Sequence, residues 1–247
     1  MYQGKRIGAI VAARMASTRL PGKVMLSLRG KPSLQWIIER LRNSKYLDNT
    51  IVATVSSPSC DPIVNLCHRL DCNYYRGSED DVLSRYIETA HAFAFDVCVR
   101  ITGDCPMVDP AIVDRLISMF FQSECDFCSN SIERTFPRGF DVEVVSTETL
   151  DKINLLAEGV DRQHVVTYIY ESHPEDFTLK NWVAPKELFH PELRVTLDTL
   201  EDYVLIHTLY ETLDLGFTAL DVVTTMIANP ELQQINADIK QKHYEEG

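Results

Sequence analysis

The chain has 247 residues, of which 45% are hydrophobic and 24% charged, ordinary usage for a globular protein large enough to bury a core without disulfide or metal staples. Its apolar runs fall short of the roughly 18 residues that a membrane span needs, and 10 Gly with 11 Pro exclude collagen-like or low-complexity organisation. A formal charge of −12 argues against a general binder of nucleic-acid backbones or of anionic membranes.

Charge is unevenly placed. Residues 1–38 hold no Asp or Glu but seven cations, Lys5, Arg6, Arg14, Arg19, Lys23, Arg29 and Lys31. An acid-free cationic stretch on an acidic chain points to one local anion site. An address peptide would also be basic and acid-poor, but Gly8 and Arg14 leave only a minimal apolar stretch between them, so the segment is read as part of the fold. Seven cysteines (60, 67, 72, 98, 105, 125 and 128) cannot all pair, and they are read as reduced thiols of a cytoplasmic protein. Cys125 and Cys128 form a C-x-x-C, and Cys60, Cys67, His68 and Cys72 a loose cluster. Neither has the second closely spaced pair that a structural zinc site wants, and core packing is the expectation.

Residues 6–13 form an apolar, β-branched run, predicted as a buried strand. Loop signals follow through Pro21-Gly22. Ser33 is placed to cap a helix whose Leu34, Ile37, Ile38 and Leu41 recur at helical spacing. Residues 50–55 predict a second strand, and the helix after Pro58 carries Ile63, Val64, Leu66 and Leu70. A short strand is expected over 73–75, a helix over 82–93 and a fourth strand over 96–101, and Pro110 opens a helix through Ile117. This alternation with short connections predicts right-handed βαβ units on a parallel sheet. Strands over 126–132 and 140–145, around a turn at Pro137-Arg138-Gly139, predict mixed pairing. Helices follow over 149–157 and 163–172, then strands over 177–183 and 193–197. An amphipathic helix over 201–213 and a helical tail over 218–240, broken at Asn229-Pro230, complete the expectation. Without repeats or a biased linker, residues 1–247 read as one α/β domain with an inserted β-rich subregion at about 125–190.

Ligands of open α/β sheets bind at the carboxyl ends of the strands, and three loops there carry chemistry. The loop from Ala13 to Lys23 puts three cations and two hydroxyls directly after the first strand. It is neither a Walker loop nor a dinucleotide fingerprint. Guanidinium forks and a lysine point charge are nevertheless what a triphosphate needs; the bland alternative is a solvated basic loop. The segment from Arg100 to Asp109 leaves a buried strand through Gly103, which permits close backbone approach. Asp104 follows it, as a turn-former or as a ligand. The third loop presents Asp198, either a helix cap or a second carboxylate. Mg2+ takes one or two carboxylates plus phosphate oxygens, so Asp104 and Asp198 opposite three cations would compose a metal–nucleotide site.

At these residues a family resemblance emerges. A-R-M-A-S-T-R-L-P-G-K at 13–23 resembles the A-R-x-x-S-x-R-L-P-x-K signature of cytidylyltransferases that activate acidic sugars. That superfamily includes the CMP-sialic acid and CMP-Kdo synthetases, and the chain is most similar to its spore coat polysaccharide biosynthesis (SpsF-type) branch. Arg76-Gly77-Ser78 through Tyr86, Arg100 to Pro106, Pro137 to Glu143, Arg162 to Tyr170 and Val195 to Asp202 resemble that branch in the same order. The resemblance implies a Rossmann-like nucleotide-diphosphosugar transferase fold, with a mixed, mainly parallel sheet between helices. It implies transfer of CMP from CTP to a sugar acid of the 2-keto-3-deoxy type, with release of pyrophosphate, in a homodimer that uses Mg2+ and binds neither nucleic acid nor membrane.

Residue by residue, Arg14, Ser17, Arg19 and Lys23 match the loop that grips the triphosphate, with Ala13 at its start, and Asp104 and Asp198 match the Mg2+ carboxylates. Arg14, Lys23, Asp104 and Asp198 make the implied catalytic set. Ser78 and Thr102 lie where the family approaches the nucleoside, and Arg138, Asp141, Arg162 and His164 in the region facing the sugar. The branch's Arg-Glu-His is here Arg162-Gln163-His164, and its Thr-Pro-Tyr is Val166-Thr167-Tyr168. Two rivals stay open at this point. Metal-dependent glycosyltransferases share such a sheet, though they typically place two aspartates one residue apart where Gly103-Asp104-Cys105-Pro106 has one. A degenerate nucleotide-binding regulator is the other, and the complete cation set speaks against it.

Overall fold

Strand β1 (Ile7–Ala12) arises from an uninterrupted apolar run and is buried from its first residue through Val11, as a strand with neighbours on both edges must be. The structure is a computed structural model and describes residues 1–241. A small hairpin of β2 (Ser27–Leu28) and β3 (Lys31–Pro32) leads into α1 (Ser33–Leu41), followed by β4 (Asn49–Val55), α2 (Asp61–Arg69), β5 (Asn73–Gly77), α3 (Val82–Ala92) and β6 (Val97–Thr102). Then come α4 (Pro110–Ser123), β7 (Phe127–Ser129), β8 (Glu143–Ser146), α5 (Thr147–Asn154), α6 (Val160–His164) and β9 (Leu179–Asn181). Helices α7 (Leu200–Thr212), α8 (Ala219–Ala228) and α9 (Pro230–Gln234) follow.

Seven strands form one sheet in the order β5-β4-β1-β6-β8-β7-β9. The first four are mutually parallel. β8 runs antiparallel to both β6 and β7, and β9 parallel to β7. Successive crossovers leave β1 first toward β4 and later toward β6, so the switch in strand order falls between β1 and β6, where such sheets bind ligands. Strand alternation gives each face its own core. Ile7, Ala9, Val11, Val97, Val99 and Ile101 pack with α1, α2, α4, α7 and α8. Ile10, Ile51 and Cys98 pack with α3, α5 and residues 165–169. This is the mixed, mainly parallel α/β architecture that the resemblance implies.

Several expectations are corrected in detail. Ser33 does not cap α1. It is the first helical residue, Pro32 holds the cap position, and the Ser33 hydroxyl donates to the Lys23 carbonyl at 2.8 Å. Helix α4 runs on to Ser123 rather than stopping near Ile117. Residues 163–172 are not one helix: α6 ends at His164, Val165 takes φ 68° and a separate π turn covers Tyr168–Ser172. Burial of both Val165 and Val166 overrides the continuous helical pattern. Residues 193–197 lie extended but outside the sheet, with a single bridge between Arg138 and Arg194. Helix α7 is apolar on both sides rather than amphipathic, since Leu200 and Val204 face solvent while Leu205, Ile206 and Leu209 are buried. The tail breaks at Asn229-Pro230 as read, but its last helix ends at Gln234. All seven cysteines are buried and free. No helix among the described residues is long and apolar enough to cross a membrane.

Candidate active site

The loop after β1 is held by backbone before its side chains are considered. Ala13 is buried, and its N–H donates to Ala53 O at 3.1 Å, extending the β1–β4 ladder by one bond. Gly22 takes a left-handed conformation, φ 70°, and Lys23–Met25 form a short 3-10 turn. That turn is pinned to α1 by the Ser33 hydroxyl. The chain thereby doubles back, and Lys23 returns to the carboxyl end of β6. Its Nζ lies 3.1 Å from Asp104 Oδ2 and 2.7 Å from Asp198 Oδ1, and Arg19 reaches the same Asp198 oxygen at 3.2 Å.

Asp104 is placed by Gly103, whose N–H donates to Ala12 O at 2.9 Å. A Cβ on Gly103 would stand 2.6 Å from that oxygen, so only glycine lets the exits of β1 and β6 touch. Asp198 arrives from the other side: Leu197 N donates to Asp104 O at 2.7 Å, joining the two loops. Arg194 then fixes the second oxygen of Asp198 at 2.7 Å. Arg194 is itself held by the fully buried Asp202 at 2.9 and 3.2 Å. Asp202 also accepts from the backbone of Asp198 and Thr199, each at 3.0 Å, and from Asn236 at 2.8 Å. Arg194 and Asp202 escaped the sequence reading. Their signal is an arginine inside an apolar extended run, with carboxylates four and eight residues on.

Burial alone would pull the Lys23 ammonium down, but Asp104 and Asp198 beside it hold its pKa above the ordinary value. Burial likewise pushes the Asp104 carboxyl up, and Lys23 with hydrogen bonds from Thr102, Lys23 and Cys105 overcomes this and holds it far below the usual range. Both groups are therefore charged at neutral pH. A cation already sits between two hard carboxylate oxygens from separate loops, and that donor chemistry fits Mg2+.

The remaining predicted residues divide over the sheet. Arg14 is exposed and lies 3.7 Å from Glu79, beyond β5, rather than at Asp104. Ser17 is half-buried within the same loop as Arg19. Ser78 is exposed beside Glu79, and its hydroxyl accepts from Asp81 N at 3.0 Å. Thr102 lies between the halves. It lines a polar cavity of about 150 Å³ with Arg100, Ser131, Arg134, Asp141, Glu143 and Tyr170. There Arg100 pairs with Glu143 and Arg134 grips Asp141 with two nitrogens. Of the four residues assigned to the sugar, only Asp141 lines this cavity. Arg138 is half-buried, its backbone tied to residues 193 and 195 at 3.0 and 2.7 Å. Burial, then the neighbouring Arg134, holds its pKa below the ordinary arginine value. Arg162 is not available to an acceptor: it donates to Asp81 at 2.8 Å, to Asn154 and to the Ala157 carbonyl, bracing α6 against α3 and α5. His164 is half-buried at the end of α6. Arg100, Arg134, Glu143 and Tyr170 were not singled out from the sequence; Arg100 and Glu143 pair across neighbouring strands, and Arg134 pairs with Asp141 inside the segment between β7 and β8.

Cations and carboxylates gather at the switch in strand order, the place where sheets of this kind bind ligands. A family model described as cytidylyltransferase matches residues 8–219, and the chain belongs to that family of nucleotidyltransferases. It is 33% identical over 230 residues to the spore coat polysaccharide biosynthesis protein SpsF of Bacillus subtilis, covering 90% of this chain and 94% of that one. A 3-deoxy-manno-octulosonate cytidylyltransferase of Trichlorobacter lovleyi is 33% identical over 117 residues, 47% of this chain and 45% of that one. Among solved structures, a cytidylyltransferase from Leptospira borgpetersenii superposes with a TM-score of 0.88 at 31% identity, covering 97% of this chain and 100% of that one. The glycosyltransferase reading gives way to nucleotidyl transfer, and the fold is the expected Rossmann-like one.

Proposed function

We propose that the enzyme transfers CMP from CTP to a hydroxyl of an acidic, 2-keto-3-deoxy type sugar, releasing pyrophosphate, in the synthesis of a surface polysaccharide. The observation that carries this reading is the chain of ion pairs Arg19–Asp198–Lys23–Asp104, from three distant segments and each of 3.2 Å or less, at the switch in strand order. The likeness to a spore coat polysaccharide biosynthesis protein and to a 3-deoxy-manno-octulosonate cytidylyltransferase favours the acidic sugar and the polysaccharide role.

In this reading the nucleotide lies over β1, β4 and β5. Arg14 and Arg19 bind the triphosphate, Ser17 and the backbone after Ala13 shape its loop, and Ser78 with Thr102 borders the nucleoside. Asp104 and Asp198 would hold Mg2+, which when bound neutralises phosphate charge and polarises the reacting centre. Lys23 offsets charge growing on the departing pyrophosphate. The acceptor enters from the β6–β8–β7 side. Its hydroxyls meet Asp141 in the polar cavity and its carboxylate meets Arg138, so that the attacking hydroxyl is held in line with the bond that breaks. Arg162 and His164 act on this half through the fold: Arg162 braces the segment that carries His164 and Tyr170. The one-domain organisation, a cytoplasmic location for a chain with seven free thiols, and a homodimer that covers the open edge at β9 complete the proposal.

The test is pyrophosphate release with CTP, UTP, GTP and ATP, each against a panel of 2-keto-3-deoxy sugar acids, hexuronic acids and neutral sugars. Release with CTP and a keto-deoxy acid is expected. Silence of CTP with every acid, or turnover only with neutral sugars, overturns the reading.

A further inference from the structure

Lys23 stands where the divalent cation of the proposed reaction would stand. Its ammonium bridges Asp104 Oδ2 at 3.1 Å and Asp198 Oδ1 at 2.7 Å, with all three side chains at least three-quarters covered. Two carboxylates converging in a covered site repel unless a cation lies between them, and lysine is a compact point charge on a flexible stem. Arg194 holds Asp198 Oδ2 at 2.7 Å and is locked by Asp202, which turns Oδ1 toward Lys23. Metal and ammonium therefore compete for the same two oxygens. The Lys23 backbone is fixed by the Ser33 hydroxyl, so only side-chain rotation is needed to vacate the site. Arg19, from the same 13–23 loop, reaches the same Asp198 oxygen at 3.2 Å.

The geometry points to a built-in exchange: Lys23 is a tethered cation that holds the metal's place in the nucleotide-free enzyme and swings to the phosphates when the triphosphate arrives. The exchange rests on the assignment of Asp104 and Asp198 as metal ligands. It involves no titration, since the ammonium stays charged throughout. Metal alone meets only the small fraction of molecules in which Lys23 is out, and its apparent affinity falls by that fraction. A triphosphate that draws Lys23 away restores the affinity, and by reciprocity bound metal favours the triphosphate to the same degree. Metal and nucleotide then load together rather than metal first.

The experiment is titration of the full-length, nucleotide-free protein with Mn2+, followed by the paramagnetic signal of the free ion. Lys23→Met is expected to bind Mn2+ about tenfold or more tightly than the parent, and adding Asp104→Asn should remove that gain. Lys23→Gln carries the same expectation, and thermal melting verifies that each variant is folded. Mn2+ affinity that is equal or weaker in both neutral variants, or absent from all proteins, overturns the exchange. If the parent binds Mn2+ as tightly as Lys23→Met and Asp104→Asn abolishes both, the exchange falls and the metal assignment stands. If the gain survives Asp104→Asn, the metal lies elsewhere and both fall.

Discussion

Replacing Gly103 by Ala adds one methyl group where the β1 and β6 exits touch. The new Cβ would lie 2.6 Å from Ala12 O and 3.3 Å from the Cα and Cβ of Ala13. These neighbours are mostly main chain in the middle of the sheet, with no flexible side chain to give way. Regaining ordinary contact at 3.4 Å requires the two exits to part by about 0.8 Å. The Gly103 N–H bond to Ala12 O, now 2.9 Å, stretches with them. Overpacking of this kind costs about 1–3 kcal/mol, which lowers the melting temperature by roughly 2–12 °C at this chain length. The larger effect falls on Asp104, the next residue. Carried along by the same shift, it leaves hydrogen-bond range of Lys23, and misplacement on the order of 1 Å costs about a hundredfold in rate. Pyrophosphate release from CTP and a thermal melt read both quantities. Gly216→Ala is the control, since nothing lies within 4 Å of its Cβ position. A Gly103→Ala enzyme with a rate within about threefold of the parent would show that contact of the two exits does not set the site.

Asp104→Asn and Asp198→Asn should each lose most turnover, about a hundredfold or more, and stay folded with a lowered melting temperature, since each leaves Lys23 short of a carboxylate; a rate within threefold at saturating Mg2+ removes that residue from the metal set. Lys23→Met should lower the maximal rate more than it weakens CTP binding, by about one to two decades, because leaving-group charge grows in the transition state. Lys31→Met, which loses a partly exposed pair with Glu39 at 2.6 Å and a cation–π contact with Trp36, should be nearly silent in rate; equal effects of the two lysines in pyrophosphate-release kinetics contradict the assignment. With pH, the lowered Asp104 pKa contributes stability present above pH 3.8 and lost as pH falls through its folded value. The raised Lys23 pKa contributes stability present below pH 10.5 and lost as pH rises through its folded value. The gap in urea midpoint between the parent and Lys23→Met should therefore be widest near neutrality and narrow below pH 3.8 and above pH 10.5; a gap constant with pH refutes it.

The parallel half of the sheet was legible because buried parallel strands are written as continuous apolar runs: Ile7 to Val11 can be little else. Residues 193–197 alternate apolar and polar residues as a strand does and form no sheet strand; their partners are the Arg138 main chain and the Asp104 carbonyl, groups far away in sequence. The meeting of Asp104 with Asp198 was foreseen as a metal pair, and the shared contact with Lys23 brings the two together. The Arg194–Asp202 lock behind them was not foreseen, since each residue also has an ordinary local explanation. Arg162 shows the opposite failure. Its motif survives, yet its donors are engaged by Asp81, Asn154 and Ala157.

The reversed strand β8 divides the site by ancestry of parts. Over β1, β4 and β5, the walls are segments leaving strands, and their shape is tied to the backbone contacts of Ala13 and Gly103. Beyond β6 the wall includes a segment about to join the sheet, with Glu143 in register opposite Arg100 and Asp141 just before it. Within residues 130–141, Arg138 is tied through its main chain to residues 193 and 195, just ahead of Asp198, so an exchange or insertion that moves it reaches the pairing with Lys23. Under the proposed function, a change of sugar written into this wall is felt at the nucleotide loop unless the two Arg138 bonds are kept.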